Sequence, residues 1–367
     1  MRISILYFLL IFSSNAFSQC NGSQDLCSKR YDEVAYLTTH NAFNAQTQGY
    51  TFPNQNYGLT QQLNDGVRGL MLDVYSLSGI PSVYHGISIF GNDPLSSNLF
   101  EIKDFLDANT NEIVTIIFEC YVSANVIESE FDNVGLLNYL YTKPSGGEWD
   151  YLQDMINSNK RLVIFTDEDD ASTGQEWYHY AWDYCVETNY TVDNINDFNN
   201  DFNRGDSIND LFIFNHFVTD PTLGIGVINT AAVVNEYAFL MPRIQQHYSE
   251  KLKFPNFVTI DFHDLGEGKT IVDSLNSSTF VGINEFEIQN IKLYPNPCNN
   301  YTMIINLDKA TNYSITIYNS IGVIESTVKA EFQAELQLNL SKLSSGFYLV
   351  QINDNSGQTS IQRLIVN

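Results

Sequence analysis

G-V-R-G-L-M-L-D-V-Y (Gly66 to Tyr75) is an apolar, branched-residue run bounded by glycine, with its acid, Asp73, near the far end. A run of this kind reads as a buried strand that delivers a polar residue at its C-terminal end. The same texture recurs on both sides, in V-A-Y-L-T-T-H-N-A-F (Val34 to Phe43) and P-S-V-Y-H-G (Pro81 to Gly86). Strands are predicted at 34–39, 69–74, 82–84, 113–119, 161–166, 211–214 and 257–262, with helices at 98–108, 148–158, 175–182 and 231–252. Strands alternating with helices over about 250 residues predict an α/β fold, a parallel barrel with helices outside.

The polar residues fall where such a barrel builds its sites. His40, Asp73, His85, Glu119, Asp167, Asn215, His216 and Asp261 all lie at or just after the C-terminal ends of their strands, the face that carries function in barrel enzymes. Two imidazoles and a carboxylate converging on one phosphate can take a proton from a nucleophile, give one to a leaving group and hold a metal. His216, in F-N-H-F, stands equally between substrate pocket and packing. Arg68 precedes its strand and Lys160 begins one, so both are expected to be structural. Asp167 to Asp170 form an acidic run of which only Asp167 abuts a strand end.

Composition bounds the setting. Residues 1–18 hold one early basic residue, an apolar run and a small, polar end, the pattern of a cleavable secretory signal. No later stretch has the roughly 18 consecutive apolar residues of a membrane helix. Among five cysteines, Cys20 and Cys27 are the expected disulfide of an oxidising compartment, leaving Cys120 and Cys298 as candidate free thiols. A net charge of −25, from 18 Lys plus Arg against 43 Asp plus Glu, disfavours a nucleic-acid partner and strong electrostatic docking on anionic membranes.

The texture changes near residue 285. After a short polar linker (276–289) the remainder alternates like strands broken by turns, at 291–297, 313–318, 335–340, 346–352 and 361–366. This is a small all-β sandwich, 290–367, with no clustered acid, base or nucleophile. The barrel then spans 19–275.

Five segments in order, L-T-T-H-N-A-F (Leu37 to Phe43), N-D-G-V-R-G-L-M-L-D-V-Y (Asn64 to Tyr75), Y-H-G (Tyr84 to Gly86), N-E-I-V-T-I-I-F-E (Asn111 to Glu119) and K-R-L-V-I-F-T-D (Lys160 to Asp167), resemble the X domain of phosphatidylinositol-specific phospholipase C. The resemblance implies a distorted, incomplete TIM barrel. It gives His40 the role of base or stabiliser of the attacking hydroxyl, and His85 that of general acid on the leaving alcohol. It implies that Asn41, Asp73 and Glu119 hold calcium, although Met71 stands where calcium-dependent members carry a further carboxylate. Calcium takes six to eight oxygen ligands, so these residues either share the ion with other groups or serve to orient the histidines. Asp261, Asp167 and His216 are the candidate substrate contacts. The implied substrate is a phosphoinositide or related lipid head-group phosphodiester, with aromatic residues available for peripheral membrane contact. The alternatives are a glycerophosphodiester- or sphingomyelinase-like phosphodiesterase, or a surface binding protein that kept the barrel and lost turnover.

L-Y-P-N-P, S-G-F-Y-L-V-Q-I and the closing R-L-I-V-N resemble the C-terminal sorting domain of the type IX secretion system. That resemblance implies passage through the periplasm and outer membrane by the type IX machinery, ending secreted or on the cell surface.

Overall fold

A computed structural model of the chain describes residues 19–168, 174–221, 225–277, 291–307, 311–319, 324–354 and 359–367. The signal-peptide expectation, most of the linker and part of the acidic run lie outside the described residues. The chain divides into two compact units, Met1–Phe280 and Val281–Asn367.

The first unit is built on β1 (Tyr36–Thr39), β2 (Gly69–Leu77), β3 (Ile80–Val83), β4 (Asp93–Pro94), β5 (Val114–Cys120), β6 (Leu162–Thr166), β7 (Tyr178–Tyr180), β8 (Cys185–Glu187), β9 (Leu211–His216) and β10 (Phe257–Ile260). Eight of these form one parallel path in the order β7-β6-β5-β2-β1-β10-β9-β8, while β3 and β4 extend β2 as an antiparallel flap. The path ends on β7 and β8, which do not pair with each other and are joined by the single turn of helix Ala181–Tyr184. This is the expected barrel, left open at one seam.

Side chains on a strand alternate between faces, and here the two faces bury different cores. Leu37, Leu70, Leu72, Phe118, Ile164, Phe212, Phe214 and Val258 pack outward under the helices. Tyr36, Ile117, Val163, Phe165, Cys185, Leu211, Ile213 and Phe257 fill the barrel, closed at its base by Tyr31 and Trp149. Their rings lie 4.9 Å apart, and the N-terminal arm that carries Tyr31 is tied by the Cys20–Cys27 disulfide. Cys120, Cys185 and Cys298 are free and buried.

Four expectations change. Residues 175–182 are not a helix: Tyr178–Tyr180 is an edge strand on β6, because its aromatic residues bury on the sheet. The span 231–252 is two helices, Ile228–Val234 and Tyr237–Lys251, broken where the Asn235 amide turns inward to donate to Asp261 O at 2.8 Å. The helix Ala124–Val134 was not expected. Nor was helix Gly268–Asn276, which closes the first unit and buries Ile271, Val272 and Leu275. Arg68 and Lys160 are structural as expected: Arg68 Nε pairs with Glu112 at 2.8 Å, and Lys160 Nζ donates to the Asn138 carbonyl.

The second unit is two antiparallel sheets. One contains β11 (Lys292–Tyr294), β12 (Tyr301–Ile305) and β15 (Glu335–Asn339), and the other β13 (Asn312–Asn319), β14 (Ile324–Glu331), β16 (Gly346–Asp354) and β17 (Thr359–Val366). Their inner faces share a core that includes Leu293, Ile304, Ile315, Leu338 and Val350. β12 and β14 escaped prediction.

Candidate active site

The inward parity of the parallel strands builds the site. His40 follows β1 and Asp261 follows β10, and the β1–β10 register, with Thr39 opposite Ile260, sets the two side by side. The Nδ1 of His40 lies 2.9 Å from Oδ1 of Asp261, which is 2% exposed. Asn54 donates to both Asp261 oxygens at 3.2 and 3.1 Å, so the carboxylate is held from two sides. The imidazole also stacks on Phe217, 3.9 Å away and 7° from parallel. A side chain at Gly226 would disturb this arrangement, because a Cβ there would stand 2.6 Å from Asp261 Oδ2.

Asn41 takes a left-handed backbone, with φ of 45°, a conformation Asn accepts more readily than most residues. This turn brings its side chain back to the cleft. With the amide oriented from its hydrogen-bond network, the nitrogen donates to both Asp73 oxygens at 3.1 and 3.2 Å, and the oxygen lies 3.3 Å from His40 Nε2. A chain of contacts thus runs Asp261, His40, Asn41, Asp73.

Asp73 and Glu119 are opposite one another in the β2–β5 register. Burial, then the nearby Glu119 and Asp167, pushes the Asp73 carboxyl well above the ordinary range. Burial likewise raises Asp167 to about 6, although its Oδ1 accepts from the Cys120 amide at 2.9 Å. Glu119 accepts from the Tyr121 hydroxyl at 2.7 Å, and Tyr121 stacks at 4.4 Å on Tyr75, which stacks at 4.3 Å on Tyr84. Tyr84 leads directly into His85.

Of six histidines in the chain, His40 and His85 line this cleft together. His179, His216, His247 and His263 are buried elsewhere. Burial lowers the His85 pKa, as does the positive charge of His40 when present.

His216 is a correction. It is one residue out of phase with Asn215 and faces outward, fully buried. Its Nδ1 accepts from Arg243 at 2.8 Å, and its Nε2 is 2.9 Å from the Val234 carbonyl. These partners fix one neutral tautomer, and burial followed by the Arg243 charge holds its pKa well below the usual range. Replacing His216 by Ala strands the Arg243 donor and the Val234 carbonyl. It is expected to cost about 1–3 kcal/mol, seen as a lower denaturant midpoint, while the folded variant keeps its catalytic rate.

Sequence reading missed the far wall of the cleft, formed by Trp182, Glu187, Tyr190 and Arg204, with Asn215 beneath. Arg204 Nε bonds Glu187 at 2.6 Å, and its guanidinium lies between Trp182 and Tyr190, 4.3 and 4.5 Å from the ring centres. Asn215 donates to Glu187 at 3.0 Å. Among the described residues Arg204 is the one Lys or Arg that lines the cleft.

Asn41, Asp73 and Glu119 meet as expected, and their oxygens are of the kind calcium takes. Their number and arrangement do not fit a resident calcium ion. Among the described residues no three His, Cys, Asp or Glu side chains are grouped to hold a metal, and the Met71 thioether, a poor calcium ligand, lines the cleft beside them.

An open parallel barrel with paired histidines at its C-terminal mouth defines the phospholipase C class of fold. The chain belongs to the PI-PLC X family, whose model matches residues 26–276. The secretion system C-terminal sorting domain matches residues 292–367 and directs the chain through the type IX system to the cell surface. A PI-PLC X domain-containing protein of Arabidopsis thaliana is 31% identical over 278 residues, covering 69% of this chain and 64% of the relative. The match thus spans less than two thirds of that relative's length. PI-PLC X domain-containing protein 1 of Arthroderma benhamiae is 25% identical over 273 residues, covering 68% of this chain and 86% of the relative. A mutant phosphatidylinositol-specific phospholipase C from Staphylococcus aureus superposes with a TM-score of 0.47 at 13% identity, covering 68% of this chain and 94% of that one.

Proposed function

We propose that the chain is a cell-surface phosphodiesterase that cleaves phosphatidylinositol or a glycosylated derivative by paired histidine catalysis. The observation that carries this reading is the placement of His40 and His85 on one cleft, with His40 held at Nδ1 by buried Asp261. Asp261 accepts the Nδ1 proton, leaving the Nε2 lone pair toward the cleft as a base. The inositol hydroxyl next to the phosphate gives its proton to that nitrogen as its oxygen attacks phosphorus. The bond from phosphorus to the glycerol oxygen breaks, and His85 supplies that oxygen with a proton. The products are a cyclic inositol phosphate and diacylglycerol.

Protonated His40 then has donors at both nitrogens, and Asp261 and the Asn41 oxygen are in place to accept them. In this reading Asn41, Asp73 and Glu119 orient and stabilise the imidazolium without holding a metal. Turnover is expected to persist in chelator, measured as head-group release after exhaustive removal of divalent ions. A rate that collapses on chelation and returns with calcium would restore the metal role.

Arg204, already shared with Glu187, suits a ring with few negative charges. Additional ring phosphates would meet Asp73, Glu119 and Asp167 with no second lysine or arginine among the described lining residues. Release from plain phosphatidylinositol is expected to exceed release from its polyphosphorylated forms, assayed side by side in mixed micelles. The opposite order would contradict this choice of substrate.

A further inference from the structure

His85 borders two clefts. On one side lies the polar cleft of Asp73, Glu119 and Arg204. On the other is an apolar cleft walled by Tyr50, Phe52, Ile87, Phe90 and Ile225. Its walls are built into the fold. Phe52 and Phe90 pack edge to face at 5.0 Å, the Thr51 amide donates to the Phe90 carbonyl at 2.7 Å, and the Tyr50 hydroxyl donates to the Val83 carbonyl at 3.2 Å. Gly91 permits this closure, because a Cβ there would stand 2.4 Å from the Tyr50 ring.

We propose that this second cleft receives the hydrocarbon of the leaving alcohol, and that Ile87 and Phe90 make the protein select substrates by the length of that hydrocarbon. The inference rests on the general-acid role of His85. A general acid sits at the leaving oxygen, so with the head group among the acids and Arg204, the leaving group extends past His85 into the apolar cleft. Among the described residues no Lys, Arg, Asp or Glu lines it. Its Asn44 amide is already committed to the Phe52 carbonyl and Asn54. A polar leaving alcohol would lose water there without gaining partners, whereas a hydrocarbon gains from burial. Ile87 is 60% exposed and so has apolar surface left to bury.

The test uses soluble inositol alkyl phosphodiesters, methyl to octyl, below their micelle concentrations. Their binding to the full chain carrying His40→Ala is measured by calorimetry, and their hydrolysis by the native chain is followed in parallel. The Kd is expected to fall about two- to fourfold per added methylene, the range from partial to full burial. Adding Ile87→Ser, or Ile87→Ser with Phe90→Ser, flattens that dependence. Ile89→Ser leaves it intact, since Ile89 is 83% exposed and outside the cleft. Affinity independent of chain length, or a dependence removed equally by Ile89→Ser, overturns the proposal. A chain-length dependence without any hydrolysis by the native chain supports the cleft and removes the phosphodiesterase reading. Hydrolysis with length-independent affinity does the reverse.

Discussion

Replacing His85 with Ala is expected to lower kcat for a lipid phosphodiester by about 10²–10⁴-fold, the range supplied by a positioned general acid. The loss has a signature that misfolding cannot imitate. A 4-nitrophenyl leaving group departs without needing a proton, so the variant should recover most of its rate on an inositol 4-nitrophenyl phosphodiester. The pH profile carries the same information. His85 works only while protonated, and burial lowers its pKa below the ordinary histidine range. As pH rises through that lowered value the acid form is lost, so kcat/KM falls on its alkaline side at a lower pH than an exposed histidine would give. In His85→Ala that limb disappears. Equal loss on both leaving groups, with the limb intact, would take His85 out of the reaction.

Asp261→Asn should produce the second large effect, a fall of about 10²–10⁴-fold in kcat with KM little changed. The substitution keeps the shape of the side chain, and its amide can donate to His40 Nδ1 where the carboxylate accepted. The imidazole proton is then driven to Nε2, where the base lone pair must be. Loss of an orienting carboxylate in a histidine base has a comparable cost elsewhere. Asp261 acts through His40 and is a positioning residue, so the discriminating readout is the His40 tautomer, seen by nitrogen NMR of the labelled imidazole. An unchanged tautomer accompanied by a lost rate would contradict this role. Gly226→Ala presses on the same carboxylate and should shift the tautomer in the same direction with a smaller loss of rate.

Much of this was legible in the sequence because strands announce themselves by short, branched, apolar runs. The order of strands and the polar residue at the end of each were readable one segment at a time. Parity is harder to read. Asn215 and His216 both stand at the end of β9, and only the inward phase shared by Leu211 and Ile213 selects Asn215. The alternation was present in L-F-I-F-N-H, but an uninterrupted apolar run hides which face is which. Tyr178–Tyr180 and β8, each of three residues, are too short to carry a period. The Glu187–Arg204 pair and Asn54 come from short or irregular segments whose convergence on the cleft is set by tertiary contacts alone. Residue spacing carries no sign of them. The ligand set implied by resemblance gathered as expected, but the direction of the Asn41 amide depends on its neighbours' donors and acceptors.

Phosphorus NMR of phosphatidylinositol with the full chain, run beside the His40→Ala and His85→Ala variants, asks whether these two histidines cleave the phosphodiester. A cyclic inositol phosphate signal is expected from the native chain, and both variants should lose it on the lipid substrate. Absence of any phosphodiester cleavage by the folded native chain, or cleavage undiminished in both variants, would contradict that expectation.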